Sequence, residues 1–408
     1  MEFLDYQLDV PEEQKQIQVT ARKFALEVMR PAGKALDKMA PEAVCARNSL
    51  LFNVLNRAHE LGFTRLGGPV EMGGMGASLE TQRMVLEELS YGSVGLASVI
   101  LLSAFPPEAA LASGNPELIN EIAKPHFAGK PIKVGAWAIT EPDHGSDMLG
   151  ASHSDLRGKG PMQVVARLDG DSWVLNGQKS SWVSNGPIAE QAVLFCQIES
   201  GTNLEQGGVF VLPLNLPGIS KGKALDKHGV RSLPQGEIFF DDVRVPRRYN
   251  IVTPDTYKNY LDTTLTAFNA SVGVVCAGFA RAVFEETLNY TRSRVQGGRS
   301  IYEHQSVRAR LFKMFSLMQA MQSLSRNVYV HNQTAIAQGR TNLLHHSIAS
   351  KVFCSDSAYE IAKLGFQLHG GNGMTKEYMV ELFLRDAAAF TIADGENAFL
   401  SLVGAGML

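Results

Sequence analysis

The fold of this chain is constrained most by a change of patterning that occurs twice along it. Helical spacing of apolar residues gives way to short extended runs near residue 133, and helical spacing returns near residue 256. Between extended runs lie Asp169-Gly170 and Asn176-Gly177, dipeptides that supply the positive φ of tight hairpins. The sequence therefore predicts an α+β multidomain protein with an N-terminal helical domain over 1–132, a middle antiparallel β-domain over 133–246 and a C-terminal four-helix bundle over 247–408.

The same patterns place the individual elements. Helices are predicted at 11–38, 48–62, 78–92, 94–104, 115–127, 263–295, 305–338, 343–370 and 376–391. Strands are predicted at 164–168, 172–175, 191–198, 208–213 and 236–241, with a last extended piece at 243–245. Because long antiparallel helices with short joints form bundles, the last four helices should pack together.

Composition narrows the class of protein. The 408 residues, 45% of them hydrophobic, exceed what one ordinary core holds, which agrees with several domains. A net charge of −3 and the lack of a long basic block argue against a nucleic-acid partner. The longest apolar run, Val94 to Phe105, is shorter than the roughly 20 residues of a membrane span. The acidic N-terminal segment has no signal or transit pattern, so we expect a cytoplasmic protein without a membrane span.

The cysteines give no metal-site pattern. Cys45, Cys196, Cys276 and Cys354 are widely scattered, and no two of them have CxxC spacing. A structural zinc site is therefore not expected, and no metal ligand is predicted. Buried thiols in a reducing compartment are the simplest interpretation.

Five short segments resemble the motifs of one enzyme family. They are, in chain order, Thr140–Asp147 (TEPDHGSD), Asn176–Gly186 (NGQKSSWVSNG), Phe239–Pro246 (FFDDVRVP), Arg294 with His304-Gln305, and Gln367–Gly373 (QLHGGNG). In this order they resemble the acyl-CoA dehydrogenase family, whose members share the predicted α–β–α order. The resemblance implies FAD as cofactor, an acyl-CoA substrate, an electron-transfer flavoprotein or similar acceptor, and a homotetramer.

Residues for the flavin ring follow from this resemblance. It implies that Ile139 and Thr140 bond the ring, and that Ser146 holds a phosphate of the pyrophosphate. It also places Trp182 against the flavin and gives Ser184 the hydroxyl that bonds N5. We expect these two side chains to share one face of a strand, since they are two residues apart.

A second group of residues is implied for the other end of the cofactor. By resemblance, Arg294, Gln305, Gln367 and the pair Gly370 and Gly371 bind the diphosphate and adenosine, largely across a dimer interface. Arginine suits phosphate by charge and shape, and glycine allows close backbone approach. Gly297-Gly298 departs from the family pattern, which usually has an aromatic residue there.

The catalytic base is the main departure from the family. Dehydrogenation needs a carboxylate opposite the flavin, and most relatives carry a glutamate in a Tyr-Glu-Gly-Thr turn. Here the turn reads Ala393-Asp394-Gly395-Glu396, so Asp394 is the candidate base. Glu396 is the alternative base and is also a candidate cofactor contact, and a third interpretation is that Asp394 only caps the following turn. The position before the family arginine, another seat for the base in some relatives, is Phe268 here, and Asn269 replaces the arginine.

The substrate is less constrained. Ala393 replaces a bulky tyrosine, and with a shorter base this suggests a branched, cyclic or otherwise bulky acyl group. Candidate substrate contacts are Asn269, Ser146, Tyr91, Ser93 and Leu96, although helix packing alone could explain the last three. A flavin oxidase or monooxygenase is the alternative function, because nitroalkane oxidases resemble this family and use an aspartate base. A non-catalytic or nucleic-acid-binding relative is disfavoured by the acidic balance.

Overall fold

Helices make up both ends of the chain. The computed structural model describes residues 10–150, 156, 158–199, 201, 203–340 and 343–408. The α-helices before the sheet are α1 (Glu12–Phe24), α2 (Arg30–Asp37), α3 (Pro41–Cys45), α4 (Leu50–Glu60), α5 (Leu79–Gly92), α6 (Val94–Ala112), α7 (Pro116–Leu118) and α8 (Lys124–Phe127). Those after it are α9 (Pro254–Ser293), α10 (Gln305–Ala337), α11 (Leu344–His369), α12 (Met379–Phe390) and α13 (Asn397–Ala405).

The helix predicted at 11–38 forms, with a wider turn inside it. A π-helical segment, Ala25–Met29, joins α1 to α2 without a break. Pro31 lies in the first turn of α2, where its missing N–H costs little. A second π segment, Ile119–Ala123, joins α7 to α8 in the same way.

Helix α6 runs further than the sequence predicted. It continues through Pro106 and Pro107 to Ala112, although the helix was expected to end near residue 104. Proline has no N–H, so the Leu102 carbonyl receives no helical hydrogen bond from Pro106. Gly135 packs closely against this carbonyl, and a Cβ on Gly135 would lie only 2.4 Å from the Leu102 oxygen. A glycine at the start of the sheet therefore accommodates the proline-containing helix.

Two helices are apolar enough in length and composition to cross a membrane. They are Val94–Ala112 and Pro254–Ser293, and 78% and 89% of their most apolar windows lie inside the fold. Burial of this extent is what a core helix shows, so the two helices are weak evidence for a membrane.

The middle of the chain forms one mixed sheet. Its strands are β1 (Gly135–Ala138), β2 (Val165–Asp169), β3 (Ser172–Lys179), β4 (Gln191–Ile198), β5 (Gly207–Pro213), β6 (Ile219–Lys221), β7 (Ile238–Pro246) and β8 (Asn250–Val252). The order is β6-β7-β3-β2-β4-β5-β8, with β1 also paired to β4. Both β1 and β2 run parallel to β4, so the expectation of a purely antiparallel sheet is wrong. A short two-stranded ribbon, β9 (Val295–Gln296) with β10 (Arg299–Ser300), follows α9.

One predicted turn is a bulge instead. Gly170 has φ +60 and closes the β2–β3 hairpin as predicted. Asn176 and Gly177, however, lie within β3, where the register with β7 shifts. The Asn176 side chain accepts the backbone N–H of Asp242 at 2.9 Å and donates to the Asp242 carboxylate at 3.0 Å. The side-chain amide thus replaces a strand hydrogen bond that the bulge interrupts. Strand β3 therefore reaches Lys179 without interruption.

The C-terminal helices enclose a core that also includes α5. Helices α9, α10 and α11 pack on one another, and α5 lies against α9. Glu87 of α5 is buried and accepts hydrogen bonds from Gln322 and Arg326 of α10, and Glu88 accepts one of 2.6 Å from Arg281 of α9. Removing one partner from such a buried ionic cluster typically costs about 3–5 kcal/mol, so it fixes the N-terminal domain on the bundle.

Candidate active site

A buried ion pair lies under the Thr140–Asp147 loop. Lys179, at the end of β3, is fully buried, and its ammonium donates 2.6 Å to the Glu141 carboxylate and 2.9 Å to the Ile139 carbonyl. Glu141 also accepts the backbone N–H of Val164 at 3.0 Å and that of Gln163. Burial lowers the pKa of Lys179, and Glu141 opposes this shift. Two motifs distant in sequence are therefore joined by one charge pair.

The outer part of this loop is held by its own side chains. His144 Nδ1 lies 2.7 Å from Asp147 Oδ2, and Asp147 Oδ1 accepts the N–H of Gly145 at 2.7 Å. A 3₁₀ turn begins at Ser146. The Ser146 hydroxyl accepts the backbone N–H of Glu396 at 3.1 Å. This bond brings the predicted flavin loop against the turn that carries the predicted base.

That turn, residues 391–396, connects α12 to α13. Asp394 lies in the left-handed region with φ +54, and Gly395 follows with φ +102. The side chain of Asp394 is partly exposed. Partial burial raises the pKa of Asp394, and the Lys351 ammonium partly offsets that rise. A carboxyl group in such surroundings is a stronger base than one in water.

Glu396, the alternative base, has another role. Its two carboxylate oxygens accept the backbone N–H groups of Ala398 and Phe399 at 3.0 and 2.9 Å. It is therefore the N-cap of α13, and these bonds hold the pKa of Glu396 below its ordinary value. Because its oxygens are occupied by the helix, the geometry favours Asp394 as the base.

Trp182 and Ser184 do not share a strand, contrary to the expectation. Strand β3 ends at Lys179, and the chain turns as the N–H of Trp182 bonds Ser180 Oγ at 3.2 Å. The Trp182 ring is 60% exposed. Ser184 pairs with Gln235 in an isolated bridge, and its hydroxyl accepts the Gln235 amide at 3.1 Å. The Thr140 and Ser180 hydroxyls lie 3.0 Å apart, so Ser180, which was not predicted for the site, connects Thr140 to the backbone of Trp182.

The residues predicted for the other end of FAD lie elsewhere on the chain's surface. Arg294, Gln305, Gln367, Gly370 and Gly371 are all exposed. Space is open beside both glycines, where an added Cβ would meet no atom within 4 Å. Helix α9 relates the two predicted ends of the FAD site. Burial raises the pKa of the Cys276 thiol on α9, the charge of Asp394 adds to that rise, and Arg294 directly follows the last residue of the same helix. From Cys276 to Arg294 the helix rises about 27 Å.

Two candidate substrate contacts, Tyr91 and Ser93, lie beside a small cavity and near several charged side chains. Tyr91 donates its hydroxyl to Glu285, and the guanidinium groups of Arg22, Arg30 and Arg281 lie 4.3–4.7 Å from its ring centre. Tyr91 and Ser93 line a cavity of about 20 Å³, whose described lining includes no residue of the 391–396 turn.

Leu96 and Asn269 are buried side chains. Leu96 is a core residue of α6. Asn269 is fully buried, donates 3.1 Å to the Leu265 carbonyl, and has an Oδ1 without a hydrogen-bond partner in the described structure. Helix packing accounts for the positions of Tyr91 and Leu96, and contact of any of the four residues with substrate stays a prediction.

Comparison with known proteins identifies the family. Models of the N-terminal, middle and C-terminal domains of acyl-CoA dehydrogenases match residues 11–130, 136–243 and 259–406. The chain belongs to the acyl-CoA dehydrogenase family. Enzymes of this family are FAD-dependent oxidoreductases acting on the CH–CH bond of acyl-CoA thioesters, so the predicted enzyme class, cofactor and fold are confirmed.

Curated relatives of this acyl-CoA dehydrogenase match along its whole length. A subunit of the caffeyl-CoA reductase–Etf complex of Acetobacterium woodii is 28% identical over 97% of this chain and 98% of its own. Benzylmalonyl-CoA dehydrogenase of Aromatoleum aromaticum is 28% identical over 97% of both chains. Cyclohex-1-ene-1-carbonyl-CoA dehydrogenase of Syntrophus aciditrophicus is 28% identical over 97% of this chain and 89% of its own.

Solved structures give the same fold. Butyryl-CoA dehydrogenase of Megasphaera elsdenii superposes with a TM-score of 0.85 at 23% identity, covering 100% of this chain and 99% of that one. Glutaryl-CoA dehydrogenase in complex with glutaryl-CoA has a TM-score of 0.84 at 23% identity, over 99% and 96% of the two chains. The α–β–α architecture of this acyl-CoA dehydrogenase is therefore that of its family.

The described residues fit FAD. Exposed Trp182 offers a flat apolar face. Thr140, Ser146 and Ser184 offer hydroxyl groups, which bond Ser180, the Glu396 N–H and the Gln235 amide. Arg294 offers an exposed cation for a phosphate, and open backbone at Gly370 allows close approach. The chemistry of these groups is that of a site for an aromatic ring joined to a diphosphate.

Two lysines organise this site and were not predicted individually. Lys179 supports the flavin loop through Glu141, and Lys351 donates to the base turn. The signal for Lys179 was present in the sequence, since the NGQK motif and the TEP motif carry opposite charges. For Lys351 the sequence offered only a lysine at a core-facing position of a predicted helix.

Proposed function

We propose that this acyl-CoA dehydrogenase oxidises a ring-bearing acyl-CoA thioester, with Asp394 removing the α-proton. The observation that carries the proposal is the hydrogen bond from the Glu396 N–H to Ser146 Oγ, which holds the base turn against the flavin loop. FAD bound at this site would supply the acceptor for the β-hydrogen, which leaves as hydride. One proton passes to the Asp394 carboxylate and two electrons leave the substrate, so a carbon–carbon double bond forms.

The protonation state of Asp394 sets the direction of the pH dependence. Burial raises the pKa of Asp394, and only the ionised carboxylate can accept a proton. We therefore expect the rate of flavin reduction to rise with pH through the pKa of Asp394. Below that pKa the proposed base is already protonated and the reaction should stop.

The length of the base is one argument about substrate shape. Aspartate is one methylene shorter than the glutamate of most relatives, and a misplacement of about 1 Å can cost on the order of 100-fold in rate. The substrate must then lie closer to the turn, and exposed Ala393 leaves room beside Asp394 for it to do so. A bulky acyl group fits this combination better than a straight chain.

Aromatic side chains give a second argument about the substrate. Phe268 of α9 stacks on Trp137 of β1 with ring centres 4.5 Å apart, and Phe105 of α6 meets Phe268 edge-on at 4.8 Å. Phe105 and Phe268 remain partly exposed. Phe268 lies about 12 Å along α9 from Cys276, whose thiol pKa is raised by burial and further by the charge of Asp394. Flat rings pack well against such a surface, so it favours a cyclic or aromatic acyl group.

The names of the relatives point the same way. Benzylmalonyl, caffeyl and cyclohexene-carbonyl groups all contain a six-membered ring. We therefore place the substrate of this chain among thioesters with a ring attached to the acyl carbons. By the same comparison we propose an electron-transfer flavoprotein as electron acceptor, and cytoplasmic localisation stays a prediction.

The assembly follows from the separation of the two predicted ends of FAD. The span of about 27 Å along α9 from Cys276 to Arg294 supports a site that takes its flavin-ring groups from one copy and its diphosphate groups from another. Because a two-fold dimer repeats each contact, two such sites form together. We propose a homo-oligomer built from this dimer, and a homotetramer as its final state.

The deciding experiment is an anaerobic titration of the FAD-loaded protein with acyl-CoA thioesters. The panel contains butyryl, octanoyl, cyclohexane-carbonyl, cyclohexene-carbonyl and phenylpropanoyl thioesters. The readout is the loss of absorbance of the flavin band at about 450 nm. We expect a ring-bearing thioester to bleach the band fastest. Preference for butyryl or octanoyl thioester would overturn the proposed substrate class while leaving the reaction in place.

The aspartate at the base position favours one alternative function. Nitroalkane oxidases resemble this family and use an aspartate base, so an oxidase on the same fold is the second candidate. Flavin that no thioester bleaches, but that a nitroalkane reduces and air rapidly reoxidises, would support the oxidase and reject the dehydrogenase.

A further inference from the structure

Lys351 of α11 is a fully buried lysine beside the proposed base turn. Removing an ammonium group from water is costly unless hydrogen bonds replace its hydration. Its Nζ donates to the Gly395 carbonyl at 2.6 Å and to Asn397 Oδ1 at 2.7 Å. Both acceptors belong to the chain segment that immediately follows Asp394.

Asn397 extends this connection along α11. Its Nδ2 donates to Ser355 Oγ at 2.9 Å and to Asp356 Oδ1 at 2.7 Å. Since Lys351 and Ser355 are one helical turn apart, α11 holds the segment through a charged donor, Lys351, and through acceptors on Ser355 and Asp356. The base turn is therefore fastened to the rigid bundle.

The backbone of the turn requires such support. Asp394 and Gly395 are consecutive residues with positive φ, and only glycine adopts that region without cost. A Cβ at Gly395 would lie 2.7 Å from Leu400, so the glycine is also required by packing. A conformation of this kind persists when surrounding contacts determine it, and the bond from Lys351 to the Gly395 carbonyl is such a contact.

Lys351 also influences the charge of the base. Burial raises the pKa of Asp394 and Lys351 lowers it again. The titratable groups that face Lys351 are Asp394 and Glu396 of the turn, Cys276 of α9 and Asp356 of α11. Burial lowers the pKa of Lys351, and among the charged partners that oppose this shift Asp394 has the largest effect. Loss of the ammonium should therefore raise the pKa of Asp394.

We propose that Lys351 is a positioning residue, which holds the Asp394 turn through Gly395 and Asn397 and supplies the positive charge behind the base. This inference rests on the proposed function only in treating Asp394 as the base. The geometric part, a fastened turn, stands independently of which substrate is oxidised. Lys351 does not touch the reacting carbon atoms, and it acts through the turn.

The test uses three variants of the FAD-loaded protein. Lys351→Met keeps an unbranched side chain of similar length but removes both the hydrogen-bond donor and the charge. Lys351→Gln keeps a donor but removes the charge. Lys363→Met is the control. Lys363 lies on the same helix, but it is half exposed and pairs with Glu360. Melting temperature checks that each variant folds, and Lys351→Gln replaces Lys351→Met if the latter does not.

The first readout is backbone hydrogen exchange of residues 392–399. We expect amide exchange of these residues to be at least about tenfold faster in Lys351→Met, because the hydrogen bonds from a charged donor are lost. The exchange rates of α11 itself should not change. Lys363→Met should exchange like wild type. Unchanged exchange in the Lys351→Met turn would overturn the positioning role, whether or not any thioester reduces the flavin.

The second readout is the pH profile of kcat/KM for flavin reduction. Without the ammonium, the acid limb should move to higher pH in both Lys351→Met and Lys351→Gln, and it should stay in place in Lys363→Met. A purely structural lysine would lower the rate without moving the limb, and that result would overturn the electrostatic part. Failure of wild-type enzyme with every thioester would instead reject the proposed function, leaving the exchange result to decide on Lys351.

Discussion

The two predicted ends of the FAD site differ in how much of their structure is already in place. At the flavin-ring end, Glu141, Lys179 and the base turn are fixed by buried hydrogen bonds within one chain. At the diphosphate end, Arg294 and Gln305 are exposed. The difference teaches that buried contacts within one chain can position the proposed reacting groups, whereas the proposed diphosphate groups lie on surface that the proposed dimer would complete.

The largest effect should come from the base at the fixed end. Asp394→Asn keeps the size of the side chain but removes its proton affinity, so we expect the rate of thioester-driven flavin bleaching to fall by about 10³-fold. FAD binding should not change. The rate is measured anaerobically by stopped flow.

Glu396→Gln is the matched variant for this measurement. Its amide oxygen can still accept one backbone N–H of the two that Glu396 caps, so we expect a loss of less than about tenfold. Equal losses in the two variants would mean that the assignment of the base to Asp394 is wrong.

The second effect should be on the stability of the fixed end. Lys179→Met leaves the Glu141 carboxylate buried without its ammonium partner, which typically costs about 3 kcal/mol or more. We expect a clearly lower melting temperature for the protein without FAD. Arg294→Met, at the exposed end, should melt like wild type, and a similar loss in both variants would remove the distinction between the two ends.

The third effect concerns affinity at the exposed end. Arg294→Met should weaken FAD binding by about tenfold, because one charge-assisted bond to a phosphate is lost, and high salt should reduce the difference. The dissociation constant is measured by fluorescence on reconstitution. Arg310→Met, an exposed arginine on α10, is the control and should bind FAD like wild type.

Mixed oligomers sharpen this prediction. When Asp394→Asn and Arg294→Met chains are dissociated and reassembled together, a two-fold dimer with shared sites contains one site with both defects and one intact site. Activity should therefore recover above that of either variant alone. No recovery, with subunit exchange verified by mass, would place both ends of each site in the same chain.

The smallest effect should come from the hydroxyl near the flavin edge. Ser184→Ala leaves the Gln235 amide without one acceptor and removes one donor, so the rate of flavin reduction should fall about three- to tenfold. Ser181→Ala, on the adjacent turn, is the control. A loss as large as that of Asp394→Asn would mean that the flavin edge, and not the base, limits the reaction.

Much of the fold could be predicted because periodicity is a local property. The helices at 79–92, 305–337 and 344–369 and the strand at 191–198 lie within two residues of their predicted bounds. Errors arose where a tertiary contact decided the outcome. Gly177 became a bulge because β7 lies opposite it, and α6 continued through Pro106 because Gly135 leaves space for the freed carbonyl.

The candidate site rests on motifs and not on geometry. The resemblance pointed to the turn of Asp394 and the loop of Ser146, which one hydrogen bond joins, but sequence could not show that Glu396 would cap α13. The two-residue spacing of Trp182 and Ser184 suggested one strand face, but the strand ends at Lys179 and the backbone turns. Lys351 stayed unnoticed because a buried lysine has no sequence signature, and its role depends on a segment more than 40 residues away.

The left-handed backbone at Asp394 limits which amino acids can occupy that position. Aspartate and asparagine enter this region several times more often than other non-glycine residues, since their short polar side chains can bond locally. Replacing Asp394 with glutamate would therefore not simply restore the longer base of the relatives. It would add a methylene and a backbone penalty together, so the identity of the base and the shape of the loop can only change as a unit.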